Sequence, residues 1–251
     1  MKTLKKDNLD IRIHETKKLS GQAAAGYVAT KLRETIAAKG AVRMILATGA
    51  SQFDFLDALK KEKVDWKKIT VFHLDEYLGM STAHPASFRK YLKERILEEV
   101  APKAVHYLEG DAEDVAGELK KYSAMLLEDD IDIACIGIGE NGHIAFNDPP
   151  VADFNDPAWV KVVELDRACR EQQMGEGWFA SMDEVPTHAL SLTIPAITRC
   201  KIISCVVPDE RKAEAVYNTL NAPVSTDCPA TILRNHLETV LWLDEAAASK
   251  L

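Results

Sequence analysis

The 251-residue chain has no apolar run approaching the ~20 residues that a membrane-spanning helix needs, which excludes the integral membrane classes built on such helices. Cysteine is scarce and spaced badly for a structural role. Five residues, Cys135, Cys169, Cys200, Cys205 and Cys228, form an odd set without a C-x-x-C pair, which argues against a disulfide framework or a structural zinc site. Cys135 and Cys205 fall in apolar runs, where a thiol behaves as a small hydrophobe. Positive charge is also short: 31 Lys and Arg stand against 39 Asp and Glu, a formal net charge of -8. That balance argues against nucleic acid as the main partner while leaving room for a local basic pocket that holds a small phosphate. The opening MKTLKKDNLDIRI has lysines but no apolar stretch and no small-residue cleavage site after them, so it does not read as a secretion signal, and the expected location is cytoplasmic. No internal repeat, low-complexity tract or linker divides the chain, and residues 1–251 are expected to form one domain.

What is present is an alternation of strand and helix patterns. Residues 20–39 carry apolar residues at helical spacing, with Ser20 as the expected cap and Gly40 as the stop. VRMILAT at 42–48 and ITVFHL at 69–74 are buried-strand patterns, and FDFLDALKKEK between them reads as helix. Further helices are expected from Ser87 to Glu99, near 112–129 and from Asp209 to Leu220. Further strands are expected at 131–138, 159–165, 188–194, 201–207 and 238–243. This rhythm implies an α/β fold with a mostly parallel sheet covered by helices on both faces.

Four loops carry residue types suited to chemistry. ATGASQ at 47–52 bridges a strand and a helix, so its free amides, with the hydroxyls of Thr48 and Ser51 and the small Gly49 and Ala50, make either an anion site or an ordinary turn capped by Ser51. Asp75 and Glu76 follow directly on a buried strand, where a carboxylate can be partly desolvated and made basic enough to take a proton from carbon beside a carbonyl. The alternative is a solvated acidic loop. GIGENGHIAFNDPP at 137–150 puts His143, which titrates near neutrality, in a turn made by Gly137, Gly139 and Gly142, five residues from Asp148. Folded back, that carboxylate would pair with the imidazole and fix its tautomer. VVPDERKAEAV at 206–216 sets Arg211 and Lys212 in the first turn of a helix, where a bound anion would offset their clash with the dipole. Arg167 and Arg170, in DRACREQQMGEGWF at 166–179, are further candidate anion clamps.

ATGAS at 47, LDEYLG at 74 and GENGHIAFNDP at 139, with VPDERKAEAV and CPATILRNH near the end, follow the order and approximate spacing of the glucosamine-6-phosphate deaminases, also called isomerases, and the chain resembles that family from about residue 20 onward. The 6-phosphogluconolactonases are similar in the G-x-G-x-x-G-H core but not in the IAFN continuation. The resemblance implies a Rossmann-like sheet whose loops hold an amino-sugar phosphate and convert it to a ketose phosphate with release of ammonia, without metal or organic cofactor. On this resemblance Asp75 is the base that moves a proton between C2 and C1. His143 opens the pyranose ring, assisted by Asp148 and Asn141. Thr48, Gly49, Ala50 and Ser51, with Glu76, Gly142, Arg170 and Lys212, bind the sugar and its phosphate.

The pattern also departs from the family. Asn141 stands where members carry an aspartate, and Asp148 where they carry a glutamate, so one carboxylate is lost beside the histidine and the other is shorter by a methylene. The S-x-x-x-x-R-x-K motif that binds an activator in some members has no counterpart after Pro150, so no activation by N-acetylglucosamine 6-phosphate is expected. A sugar-phosphate lactone hydrolase and a sensor without turnover are the rival readings. Glucosamine against galactosamine phosphate, and a homo-oligomer against a monomer, stay open at this level.

Overall fold

The computed structural model describes all of residues 1–251. It opens on two strands that the sequence pattern does not mark, β1 (Lys2–Lys6), which is largely exposed, and β2 (Leu9–His14), which buries Leu9, Ile11 and Ile13 in strict alternation. Helix α1 (Lys17–Lys39) begins earlier than expected. Thr16 is its cap, with Oγ1 accepting from the Leu19 amide at 3.2 Å, and Ser20 is a buried residue inside the helix. Gly40 ends it in the left-handed region at φ 79°, as the sequence predicts.

The chain continues through β3 (Val42–Leu46), a 3₁₀ turn at Ala50–Gln52, α2 (Phe53–Leu59), β4 (Ile69–His73) and β5 (Asp75–Tyr77). Helix α3 (Phe88–Leu92), capped by Ser87, runs through a π turn at Lys93–Leu97 into α4 (Glu98–Val100), over the stretch expected to be helical. Then come β6 (Ala104–His106), α5 (Val115–Leu127), β7 (Ile133–Ile136), β8 (Val160–Glu164), α6 (Arg167–Gly175), β9 (His188–Leu192), α7 (Ile194–Thr198) and β10 (Ile202–Val207). A 3₁₀ turn at Glu210–Lys212 leads into α8 (Ala213–Asn221), and β11 (Thr239–Asp244) closes the sheet.

The expected α/β architecture is observed. The eight-stranded sheet has the order β1-β2-β11-β10-β7-β3-β4-β6, and every pairing except β1 with β2 is parallel. One expectation is corrected: β8 and β9 do not join that sheet. They pair antiparallel with each other, and β9 pairs with β5, in a separate three-stranded sheet. Burial periodicity reports how much of a strand is covered, not which neighbour it finds, so sequence alone could not separate the two sheets.

Both faces of the central sheet are covered, which explains why its strands read as continuous apolar runs. Met44 and Leu46 of β3 pack with α1 and α2 on one face, while Ile45 packs with Tyr122 of α5 and Val216 of α8 on the other. Helices α1 and α2 approach so closely at Gly21 that a Cβ there would sit 2.8 Å from the backbone of Asp54. The topology also fixes where a ligand can bind. From β3 the chain moves outward through β4 and β6, then returns to β3's other side with β7 and moves outward through β10 and β11. The carboxyl ends of β3 and β7 therefore flank a switch point, where open α/β sheets form a crevice.

Candidate active site

The loops that leave β3, β4, β7 and β10 meet at this crevice and line one cleft, together with a stripe of α6. Thr48, Gly49 and Ser51 form its first wall. Gly49 adopts φ 96°, and the amides of Thr48 and Gly49 donate to no protein acceptor. Tyr91 anchors the turn by donating its hydroxyl to Gly49 O at 2.9 Å. Buried Gln52 donates to Val206 O and to Ser51 Oγ, at 3.2 and 3.0 Å, so the Ser51 hydroxyl keeps its own proton to offer to an anion. Ala50 begins the 3₁₀ turn and does not line the cleft.

Lys212 enters from the opposite side. Asp209 adopts φ 89° and bends β10 into the following turn, held by Asp244 Oδ1, which accepts its amide at 3.1 Å. The Lys212 side chain is buried, yet its ammonium has no carboxylate within 4.0 Å. Burial lowers its pKa, and the nearby Glu176 and Glu140 offset this only in part. A buried cation beside unpaired amides and a free hydroxyl calls for an anion.

Asp75 is 6 % exposed, and Oδ1 has no hydrogen-bond partner. Burial, reinforced by the neighbouring charge of Glu76, pushes its carboxyl up to about 8. Successive strand residues face opposite ways, and Glu76 points away from the cleft into the start of α3. There its Oε1 accepts from the Tyr77 and Phe88 amides, and its Oε2 from Ser87 Oγ and from Nε and N of Arg89, all within 3.3 Å. The expectation that Glu76 touches the sugar is therefore corrected: every lone pair it has is spent on capping a helix and holding Arg89.

The turn after β7 presents His143 to the cleft. Gly139 is required at its position because a Cβ would lie 2.1 Å from the imidazole. Behind the ring, Nδ1 lies 2.7 Å from both Asp148 Oδ1 and Asn141 Oδ1. This assigns the proton to Nδ1 and leaves Nε2 as the group that can accept one from the cleft. Asn141 closes a triangle by donating Nδ2 to Asp148 Oδ1 at 3.0 Å. Burial alone would raise the carboxyl of Asp148, but the charge and hydrogen bond of His143 and the donation from Asn141 outweigh it and hold the group below the ordinary carboxylate value. Asn141 and Asp148 thus stand behind the histidine and do not line the cleft.

Two further expectations are corrected. Gly142, at φ 85°, shapes the turn against Cys228. Its amide goes to Gly139 O and its carbonyl takes the Ala230 amide, so it offers nothing to a ligand. Arg170 turns away from the cleft and donates Nη2 to Met182 O and Val185 O at 2.7 and 2.9 Å, which secures the loop after α6.

The arginines of residues 166–179 stand out in the sequence, but the functional face of this helix is the other one. Gln172, Gln173 and Glu176 line the cleft, with Cys169 buried one turn earlier. The spacing 169, 172, 173, 176 is a single helical stripe, and that periodicity was the available signal. Glu176 accepts from Gln172 Nε2 and Trp178 Nε1, at 3.0 and 3.3 Å, and brings a carboxylate oxygen 4.0 Å from where a Cβ of Gly49 would stand. His143, Asp148 and Cys169 set donor atoms within 4.8 Å of one another. Nδ1 and Oδ1 are already spent on each other, so the trio reads as a proton-handling group rather than an ion cage.

This geometry has relatives. A glucosamine-6-phosphate deaminase of Exiguobacterium sibiricum is 38% identical over 206 residues, 82% of this chain and 80% of its own length. One of Streptococcus agalactiae serotype III is 34% identical over 226 residues, 90% and 95% of the two chains. Among solved structures, a monomeric glucosamine-6-phosphate deaminase superposes with a TM-score of 0.87 at 30% identity, covering 96% of this chain and 99% of that one. A 6-phosphogluconolactonase from Shewanella baltica reaches a TM-score of 0.76 at 15% identity over 93% and 96% of the chains, a likeness of fold alone. The family profile for glucosamine-6-phosphate isomerases/6-phosphogluconolactonase matches residues 15–242, and the chain belongs to that family.

Proposed function

We propose that this chain is a glucosamine-6-phosphate deaminase, which converts glucosamine 6-phosphate and water to fructose 6-phosphate and ammonia. One observation carries the reading: a desolvated, unpaired carboxylate, an imidazole backed by a carboxylate, and a buried, unpaired ammonium line the same cleft.

The phosphate is held by Lys212, the hydroxyls of Thr48 and Ser51 and the free amides of Thr48 and Gly49. Binding there, remote from the reacting carbons, holds the opened sugar chain in register with Asp75. His143 Nε2 takes the proton from the C1 hydroxyl and delivers one to the ring oxygen, while Asp148 and Asn141 stabilise the transient imidazolium through Nδ1. Asp75 then removes the proton from C2 of the open aldehyde. The bonding pair forms the C1–C2 double bond of an enolamine while the carbonyl π pair moves to O1, which takes a proton. The nitrogen lone pair then forms C2=N as the C1–C2 π pair takes the proton at C1, which leaves an iminium at C2. Water adds to that carbon and ammonia departs with the C2–N bond. A buried Asp75 suits the middle step, because desolvation raises its pKa and so narrows the gap to the far higher pKa of the C2–H.

No helix of the chain is long and apolar enough to cross a membrane, and all five cysteines are free and buried, which supports a cytoplasmic place of action. Ammonia release from glucosamine 6-phosphate, with Asp75→Asn as control, tests the reading, and galactosamine 6-phosphate assayed beside it reports the C4 preference. Wild type should release ammonia and the variant should bind the sugar without turnover. Hydrolysis of a 6-phosphosugar lactone with no ammonia from either amino sugar would move the assignment to the lactonase branch.

A further inference from the structure

Asp148 is wholly buried, and its two oxygens have unequal company. Oδ1 takes His143 Nδ1 and Asn141 Nδ2, whereas Oδ2 has no hydrogen-bond partner. An ionised oxygen left bare in a dry interior is costly, so whatever flanks it matters. The Cys169 side chain of α6, itself 1 % exposed, flanks this carboxylate, with Sγ within 4.8 Å of one of its oxygens and of an imidazole nitrogen. Burial and the charges of Asp148 and Asp166 hold this thiol well above its ordinary pKa, so it is a proton donor and not a thiolate. Its own backbone is fixed as well: the Cys169 amide donates to Asp166 Oδ1 at 2.6 Å, and Asp166 Oδ2 accepts from Asn141 Nδ2 at 3.4 Å. The first turn of α6 is thereby tied to both sides of the carboxylate.

We propose that Cys169 is a positioning residue for the Asp148–His143 pair, its S–H turned to the Asp148 carboxylate and so coupling the charge felt by the imidazole to the seating of α6. The role rests on reading His143 as the group that moves the ring-opening proton. It gives the helix two tasks on one stripe, since Gln173 and Glu176 face the cleft while Cys169, one turn earlier, faces the pair that acts in it. Without the S–H, the carboxylate's charge is less shielded and draws the imidazole toward its protonated form.

The test is an NMR titration of the His143 ring in wild type, Cys169→Ala and Cys169→Ser, with pH profiles of kcat/KM on glucosamine 6-phosphate alongside. Removing the donor should raise the His143 midpoint by about half a pH unit, a weak donor's share, while the rise of kcat/KM near pH 8, which Asp75 sets, stays in place. Serine, which restores a donor, should return the midpoint to the wild-type value or below it. A Cys169→Ala midpoint equal to wild type overturns the proposal, and so does an equal rise in the alanine and serine variants, which would mean that packing alone is at work. Should alanine leave too large a void to fold, Cys169→Val fills the space without a donor and carries the same expectation. The titration needs no substrate, so it stands even if ammonia release fails and the deaminase reading with it.

Discussion

Asp75 and Glu76 are consecutive residues of one three-residue strand, and they stand in opposite electrostatic circumstances. Asp75 Oδ1 has no partner, while the Glu76 carboxylate accepts from three amides, a hydroxyl and a guanidinium. Strand alternation separates them: one faces the cleft and the other the first turn of α3. Both feel burial, but only Glu76 has donors that offset it. The pair therefore divides labour between a carboxylate free to exchange its proton and one locked into the scaffold.

Asp75→Asn should stabilise the fold at alkaline pH while abolishing turnover. The Asp75 pKa of about 8 in the folded state lies above its ordinary value of 3.8. Between these values the folded protein holds a proton that the unfolded chain has lost, so stability is fully present below the lower value and falls as pH rises through the higher. Some four pKa units set a ceiling of about 6 kcal/mol, and water in the open cleft should reduce the effect to about 3 kcal/mol. Thermal melts at pH 6 and pH 9 measure it: the variant's advantage should appear at pH 9 and shrink at lower pH. For the same reason wild-type kcat/KM should climb with pH through about 8. A rate that is flat from pH 6 to 9 would remove Asp75 as the base.

Glu76→Gln should act on folding and leave substrate affinity alone. The amide turns one acceptor into a donor that faces backbone N–H groups, and it strips Arg89 of a buried counter-charge at 3.3 Å. A loss of about 2–4 kcal/mol in urea denaturation is expected, with KM near the wild-type value in the protein that remains folded. A tenfold rise in KM without loss of stability would return Glu76 to the binding site.

Lys212→Met and Glu176→Gln should move phosphate affinity in opposite directions. The first removes the buried ammonium and should raise the inhibition constant of inorganic phosphate roughly 10- to 100-fold, the worth of a hydrogen bond to a charged group. The second removes a carboxylate that faces the same turn and competes for Lys212, so phosphate should bind several-fold more tightly. Glu176 sits between Gly175 and Gly177, at the end of α6. Unchanged phosphate inhibition in Glu176→Gln would show that the carboxylate is already out of reach in solution.

Much of this site was legible in the chain because its residues sit where strands end. Asp75, His143 and the 48–51 turn each follow a buried apolar run, and in a parallel sheet all such ends lie on one edge, so linear spacing was enough to bring them together. Lys212 was visible for a different reason, as a cation misplaced in a helix's first turn. Glu76 misled because composition cannot say which face of a strand a carboxylate takes. Arg170 misled because its charge drew attention from the neutral stripe of Gln172 and Gln173 on the other face. Strands β8 and β9 carried the right pattern and joined the wrong sheet, since pairing partners are chosen by tertiary packing that no local window contains.

Asn141 and Asp148 are best understood as one unit, and exchanging both at once should show it. Where the family resemblance pairs an aspartate with a glutamate around the histidine, this chain pairs an amide with an aspartate. Asn141 Nδ2 bridges to Asp148 Oδ1 at 3.0 Å while its Oδ1 accepts from the His143 ring and backbone. Asn141→Asp alone deletes that bridge and sets a second carboxylate against Asp148 and near Asp166. The cluster must then hold an extra proton or keep the imidazole charged, so the His143 midpoint should rise by roughly one pH unit. Stability gained from a raised histidine pKa is present at acid pH and lost as pH rises through the new midpoint, so the variant should lose more melting temperature at pH 9 than at pH 6. Asp148→Glu alone should push the longer carboxylate into a site with no room for it, since Asp148 is fully buried. If the two positions form a matched pair, the double variant will recover part of both losses, and the cycle of four proteins will give a coupling energy of about 1 kcal/mol or more. Strictly additive losses would mean that the amide at 141 is tolerated independently of the shorter acid at 148.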